Sequence, residues 1–435
     1  MSFKPHNTPL TLLAIRVNEC QEGGPKLSTW PLSFATRTRS SPRFWAFKPR
    51  MTSLPSLLKS YSWNSSTILL ETVLQLLGEQ LRKLSQSDFF ATELDEYVSQ
   101  LCKSVSSLQN KLAEPDPDVP LITEVAESIW RATQFLTGTT SNRVPYEVTY
   151  LLREVLLDWG LGDSIVTTSV NQSPDFYCER VGTAPDALLS ELNLPGLALS
   201  GHLVQMGVPE IFQHMPLLCS PLYHEVGHYV EEHERLVTTL LIMHGDKLLQ
   251  AMPDLKEFEE ASRMIVAKAW ATEHFCDLVA ACYVGECVSD YIIQWDHEQV
   301  PQPSHPSAAS RALVTRDFLE DRSNPVVDLL KQGVSEAGLN IQLQRQFQLP
   351  AVDDCFADVR PATAESIKHL HGLLPAADAF LKRLLTSPSD FKGSNIARVP
   401  RWRQPHVIND LIEKSIRSFM IEKAWDESLD TKAAA

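Results

Sequence analysis

Residues 220–228 read Ser-Pro-Leu-Tyr-His-Glu-Val-Gly-His, and residues 270–277 read Trp-Ala-Thr-Glu-His-Phe-Cys-Asp. The first stretch has the grammar of a helix start. Ser220 can cap free N–H groups, and Pro221 suits the first helical position, where no N–H partner is lost. The helix is expected to span 220–244, with Gly245 as its stop. His224 and His228 are four residues apart on it, so both imidazoles leave one face, about one turn apart. Such a pair can clamp a metal ion. The second stretch lies on an expected helix over 256–284, ended by Gly285. There Glu273 and Asp277 share a face among Ala269, Ala271, Ala280 and Ala281. An unpaired carboxylate on a buried face is costly, so both acids need a partner. Metal ligation supplies one for Glu273, and the outer nitrogen of a liganding histidine supplies one for Asp277.

His-Glu-x-x-His followed on a later helix by Glu-x-x-x-Asp resembles the gluzincin metallopeptidases, the thermolysin-like class. The resemblance implies Zn2+ held by His224, His228 and Glu273, with Asp277 bracing His224. It makes Glu225 the general base that takes the proton of an attacking water. A third segment, Ser304-His305-Pro306 with Arg311 downstream, follows a Pro-rich loop and opens another helix. It is similar to the Thr-His-Pro segment with a downstream arginine in the peptidase group that includes the CAAX prenyl proteases and the heat-shock protease HtpX. That likeness places the segment at the border of the active site, where His305 or Arg311 would stabilise an oxyanion. Serine stands here where that group has threonine, and the resemblance covers only 209–321.

Competing patterns fail on their residues. Glu231 stands where the metzincin motif needs glycine, and Glu234 where it needs a third histidine. The cluster Glu231, Glu232, Glu234 is expected to be a solvated helix face. His274 points away from the proposed ligands, and His202, His214 and His297 have no partner at metal spacing. Cys276, Cys282 and Cys287 fit neither a zinc knuckle nor a redox pair and are expected to be packing residues.

Outside these motifs, leucine-rich periods predict helices from Thr67, over Leu94–Leu112 and over Leu121–Leu136. Residues 165–170 lean to a strand, and helices are expected over Ile367–Leu385 and Val407–Trp425. The fold expected is mainly α, in the α+β sense: a helical zincin-like core with a small sheet near 160–200 and flanking helical segments. The divisions are 1–50, a basic disordered or presequence-like segment; 51–140, helical; 141–325, the metallopeptidase-like domain; and 326–435, helical.

Charge and length narrow the partners. The first 70 residues hold nine Lys/Arg against two Asp/Glu, whereas the remainder holds thirty against fifty-two. The acidic body repels polyanions, so nucleic acid is not an expected partner. No apolar run approaches the ~20 residues of a membrane span. The eight scattered cysteines suit a reducing compartment, hence a cytoplasmic location, with organelle import through 1–50, or a start at Met51, as the alternatives. The sequence thus points to a zinc metalloendopeptidase acting on a peptide or protein substrate. The competing reading is a zinc-binding interaction or regulatory protein on the same scaffold with little turnover.

Overall fold

The computed structural model describes residues 63–86, 92–139, 146–171, 175–181, 186–192, 202–295 and 300–434. Three leucine-rich helices lead: α1 (Trp63–Leu84), α2 (Thr92–Leu112) and α3 (Val119–Thr139). Their repeats bury one stripe each, with Leu70, Leu74, Leu77 and Leu81 meeting Val98, Leu101, Val105 and Leu108. Ile122, Val125 and Ile129 close this first core. The basic segment 1–50 lies outside the described residues.

Helix α4 (Tyr146–Asp158) follows, and then β1 (Ser164–Asn171), β2 (Tyr177–Val181), the short α5 (Asp186–Glu191) and β3 (His202–Pro209). The strand order is β1-β3-β2, with β1 parallel and β2 antiparallel to β3. The sheet expected near 160–200 therefore extends to 209, because its central strand, His-Leu-Val-Gln-Met-Gly-Val-Pro, is buried on both faces and carries no alternating pattern to read. Leu203 joins the core of the leading helices, while Val204, Met206 and Val208 face the second core. Gly207 lets Tyr177 cross the strand, since a Cβ there would lie 1.9 Å from its ring.

On the second face lie α6 (Pro221–Glu234), α7 (Leu236–Ala251) and α8 (Glu260–Val284). The single helix expected over 220–244 is in fact two. Arg235 takes a left-handed conformation (φ 53°, ψ 35°) and breaks it. Glu231, expected on a solvated face, is buried at 7% exposure, and its carboxylate accepts hydrogen bonds from the N–H groups of Val237 (2.8 Å) and Thr238 (3.3 Å). It thereby satisfies the free donors at the start of α7. Glu232 is exposed, as expected, and Glu234 pairs with His233. Helix α8 ends at Val284 with Gly285 at φ +57°, a conformation that favours glycine.

Helices α9 (Cys287–Trp295), α10 (Ala308–Leu319), α11 (Pro325–Glu336), α12 (Asp353–Ala357), α13 (Ile367–Thr386) and α14 (Gln404–Ala434) complete the chain. Leu330, Phe356, Leu370, Phe380, Ile408 and Ile412 belong to the same buried cluster as Val226, Val230, Phe275 and Val279. The C-terminal helices therefore wrap the core that carries α6 and α8. The chain is mainly helical with one small sheet. Among the described residues, no helix is long and apolar enough to cross a membrane.

Helices α6 and α8 cross closely at Gly227. A Cβ on Gly227 would lie 2.6 Å from the Cα of Cys276 and 3.0 Å from its Cβ. At an exposed helical position Gly→Ala stabilises by about 1 kcal/mol. At this one, backbone blocks the added methyl and the sign should reverse. Gly227→Ala is expected to lower stability by about 1–3 kcal/mol, the usual cost of overpacking, measured by thermal or urea unfolding. A variant as stable as the parent would show that the crossing is looser than described.

Candidate metal centre

Helix α6 presents His224 and His228, and the crossing helix α8 presents Glu273 and Asp277. The two imidazole Nε2 atoms lie 3.1 Å apart. Glu273 Oε2 is 3.4 Å from His224 Nε2, and Glu273 Oε1 is 3.5 Å from His228 Nε2. An ion bonded at about 2.1 Å to three tetrahedral donors holds them about 3.4 Å apart. The imidazole pair at 3.1 Å and the carboxylate distances of 3.4 and 3.5 Å lie near that spacing, with Oε2 bordering His224 and Oε1 bordering His228.

Glu273 Oε2 is buried and makes no hydrogen bond of good geometry among the described residues, its nearest cationic groups, His224 Nε2 and Arg311 Nη2, lying 3.4 Å away. A buried acceptor left in this state needs an explanation, and a cation at the centre of the three donors supplies one. His224, His228 and Cys276 also form a group able to hold a metal ion, their donor atoms all within 4.8 Å of one another. The Glu273 carboxylate, with oxygens at 3.4 and 3.5 Å from the two imidazoles, is the alternative third donor. Burial raises the Cys276 thiol well above its ordinary pKa, in keeping with a packing residue beneath Gly227.

A second ring of contacts orients the first. His224 Nδ1 lies 2.8 Å from Asp277 Oδ1. With Nδ1–H donated to Asp277, loss of the other ring proton would leave an Nε2 lone pair facing the centre. Asp277 is fully buried and takes both arms of Arg311, at 2.8 Å from Nε to Oδ2 and 2.7 Å from Nη2 to Oδ1. Burial opposes its ionised form, yet Arg311 and His224 hold its carboxyl well below the usual carboxylate range. Glu273 behaves alike: burial works against its charge, but His224 and Arg311 hold it down at about 2.

The imidazoles diverge. Burial would lower His224, but the carboxylates of Asp277 and Glu273 outweigh it and lift its pKa to about 10. Burial, reinforced by the charge on His224, lowers His228 to about 4. Glu225 is half-buried, and burial pushes it up to about 7 even though His224 pulls the other way. A carboxyl poised there suits proton transfer near neutrality.

The third segment closes one side. Trp270 Nε1 donates to the Gln302 carbonyl (2.8 Å), and Gln302 and His305 exchange backbone hydrogen bonds at 2.9 and 3.2 Å. This holds His305 Nε2 at 3.3 Å from Glu273 Oε1, with the Ser304 hydroxyl 2.8 Å from His305 Nδ1. Exposure grades across the centre. The His228 side chain is 35% accessible and His305 17%, against 9% for Arg311 and none for Asp277. The open side therefore faces His228 and His305.

The structure thus brings six of the residues singled out in the sequence, His224, His228, Glu273, Asp277, His305 and Arg311, into mutual contact, and Glu225 feels the charges of His224, Glu273 and Arg311. Of the remaining histidines, His274 is buried with Nδ1 unpartnered, and His214 sits 3.3 Å from Glu413 far along the chain. The His202 side chain and His297 lie outside the described residues. Sequence reasoning passed over Gly227 and Trp270, whose roles are steric and loop-anchoring. A glycine inside an otherwise regular helix was the available signal for the first. No family model, curated protein or solved structure matches the chain.

The charge state of His224 yields a test. Its raised pKa keeps it protonated at neutral pH in the metal-free protein, so an ion binding at Nε2 must displace that proton. Adding one equivalent of a divalent metal in weak buffer at neutral pH should release about one proton, read with a pH indicator. Metal uptake without proton release would place the ion elsewhere.

Proposed function

We propose that this chain is a zinc-dependent metallopeptidase that hydrolyses peptide bonds with Glu225 as general base. One observation carries the reading: two imidazoles and one carboxylate converge within 3.1–3.5 Å of one another on a centre that is open on one side, with the Glu225 carboxyl held near neutrality within reach of their charges. Two histidines and a glutamate with an open fourth position are the donor set of catalytic rather than structural zinc. When bound, zinc supplies a Lewis acid that polarises a carbonyl and acidifies water.

The protein's own residues do the rest. Glu225 accepts the proton of the attacking water and passes it to the leaving amine. His305, on the open side, donates to the developing oxyanion. Asp277 keeps His224 in the liganding tautomer.

Glu225→Gln should keep zinc and lower turnover by about 10²–10⁴-fold, whereas Glu273→Ala should lose zinc, as metal analysis and a chelator-controlled peptide digest would show. His305→Ala should keep zinc and lower kcat by about 10²–10³-fold. Because Glu225 must be ionised to act, activity should fall as pH drops through its pKa. A bound dication lowers that value, so the acid limb of kcat/KM should lie at or below about 7. Equal cleavage by the parent and Glu225→Gln would rule out the mechanism. Zinc binding without chelator-sensitive cleavage of varied peptides would favour the interaction-protein reading instead.

A further inference from the structure

The geometry points to Arg311 as a positioning residue of the metal centre, one that fixes Asp277 and Glu273 from behind rather than touching substrate. The inference rests on the reading of His224, His228 and Glu273 as metal ligands, and it does not require that the centre cleave peptides. The sequence leaves Arg311 and His305 as equal candidates for oxyanion donor, but the tertiary structure separates them. Arg311 engages Asp277 in a two-pronged contact, with Nε on Oδ2 at 2.8 Å and Nη2 on Oδ1 at 2.7 Å. The same Nη2 lies 3.4 Å from Glu273 Oε2 and 3.4 Å from His224 Nδ1. One guanidinium therefore contacts a bracing acid, a carboxylate ligand and a histidine ligand.

Burial agrees with this assignment. Arg311 is 7% exposed and Asp277 0%, on the closed side of the centre, whereas the open side belongs to His228 and His305. A donor to an oxyanion must aim at the point where charge develops on the substrate. Arg311 instead lies behind the ligands. Helix α10 fixes its approach: Ser307 caps the helix by accepting from Ser310 N–H, and Arg311 follows one turn into it. Without Arg311, Asp277 would be a buried carboxylate with one imidazole for company, free to rotate or take up a proton. The tautomer of His224 and the setting of Glu273 would then both loosen.

The test is zinc affinity, measured by competition with a chromophoric chelator, which needs no turnover. Arg311→Gln should raise the zinc dissociation constant about 10–100-fold, the usual cost of removing a partner of a metal ligand. Because Arg311 acts through Asp277, adding Arg311→Gln to Asp277→Asn should weaken zinc far less than it does in the parent. Held at saturating zinc, Arg311→Gln should recover kcat to within about tenfold of the parent, whereas loss of an oxyanion donor would persist at about 10²–10³-fold. Circular dichroism establishes that each variant is folded. Should the glutamine fail to fold, Arg311→Lys keeps the charge, loses the fork, and is read the same way with a smaller expected loss.

Parental zinc affinity in the Arg311 variants overturns the inference, as do strictly additive losses in the double variant or a kcat deficit that zinc cannot repair. Zinc affinities that follow the expected order in a protein that cleaves no peptide would sustain the positioning role while sinking the peptidase reading.

Discussion

The contact between Gly227 and Cys276 is the constraint on which the centre depends. The helices carrying His224, His228, Glu273 and Asp277 must approach closely enough for Glu273 to reach both imidazoles, and a side chain at 227 would hold them apart. Helix axes usually pass 8–10 Å apart, and the spacing is set by the side chains at the contact. Here the contact is a hydrogen atom against a small thiol residue. The crossing is then locked from outside. Tyr229 pairs with Ser164 of β1, Trp159 packs edge-on against Phe275, and Tyr283 donates to Asp158 at the end of α4.

Electrostatics set a second constraint on the same four residues. Glu273 and Asp277 are both nearly or fully buried and ionised, with Arg311 as the permanent cation among them. One guanidinium does not balance two carboxylates, so the centre retains a deficit of positive charge. A protonated His224 meets it in the metal-free state, and a dication at the three donors meets it otherwise. The imbalance is a thermodynamic bias toward binding a cation, built from the same contacts that hold the ligands in place.

The rest of the fold serves to hold this crossing and leave one side open. The small sheet separates the leading helices from the core of the centre, with Leu203 on one side and Val204, Met206 and Val208 on the other. Helices from the C-terminal third enclose α8, so that Val266, Phe275 and Val279 lie deep in a cluster that also holds Phe356, Leu370, Phe380 and Ile412. Burying apolar side chains at roughly 1.5–3 kcal/mol each is what stabilises a core able to carry two buried carboxylates.

Local grammar by itself determined the helices and their cargo. The leucine periods mark α1 to α3, Pro221 and Gly285 bound the site helices at their outer ends, and spacings of four place His224 with His228 and Glu273 with Asp277 on common faces. Those features depend on neighbours along the chain, so they are legible without coordinates. Tertiary structure alone decided the break at Arg235, the burial of Glu231 as the cap of α7, the two-sided burial of β3, and the placement of Arg311 on Asp277 with His305 on the more exposed side. Each of these turns on which groups lie within a few ångströms across the fold. Hydrogen bonding and desolvation act at that range, and no pattern of residues along the chain encodes it.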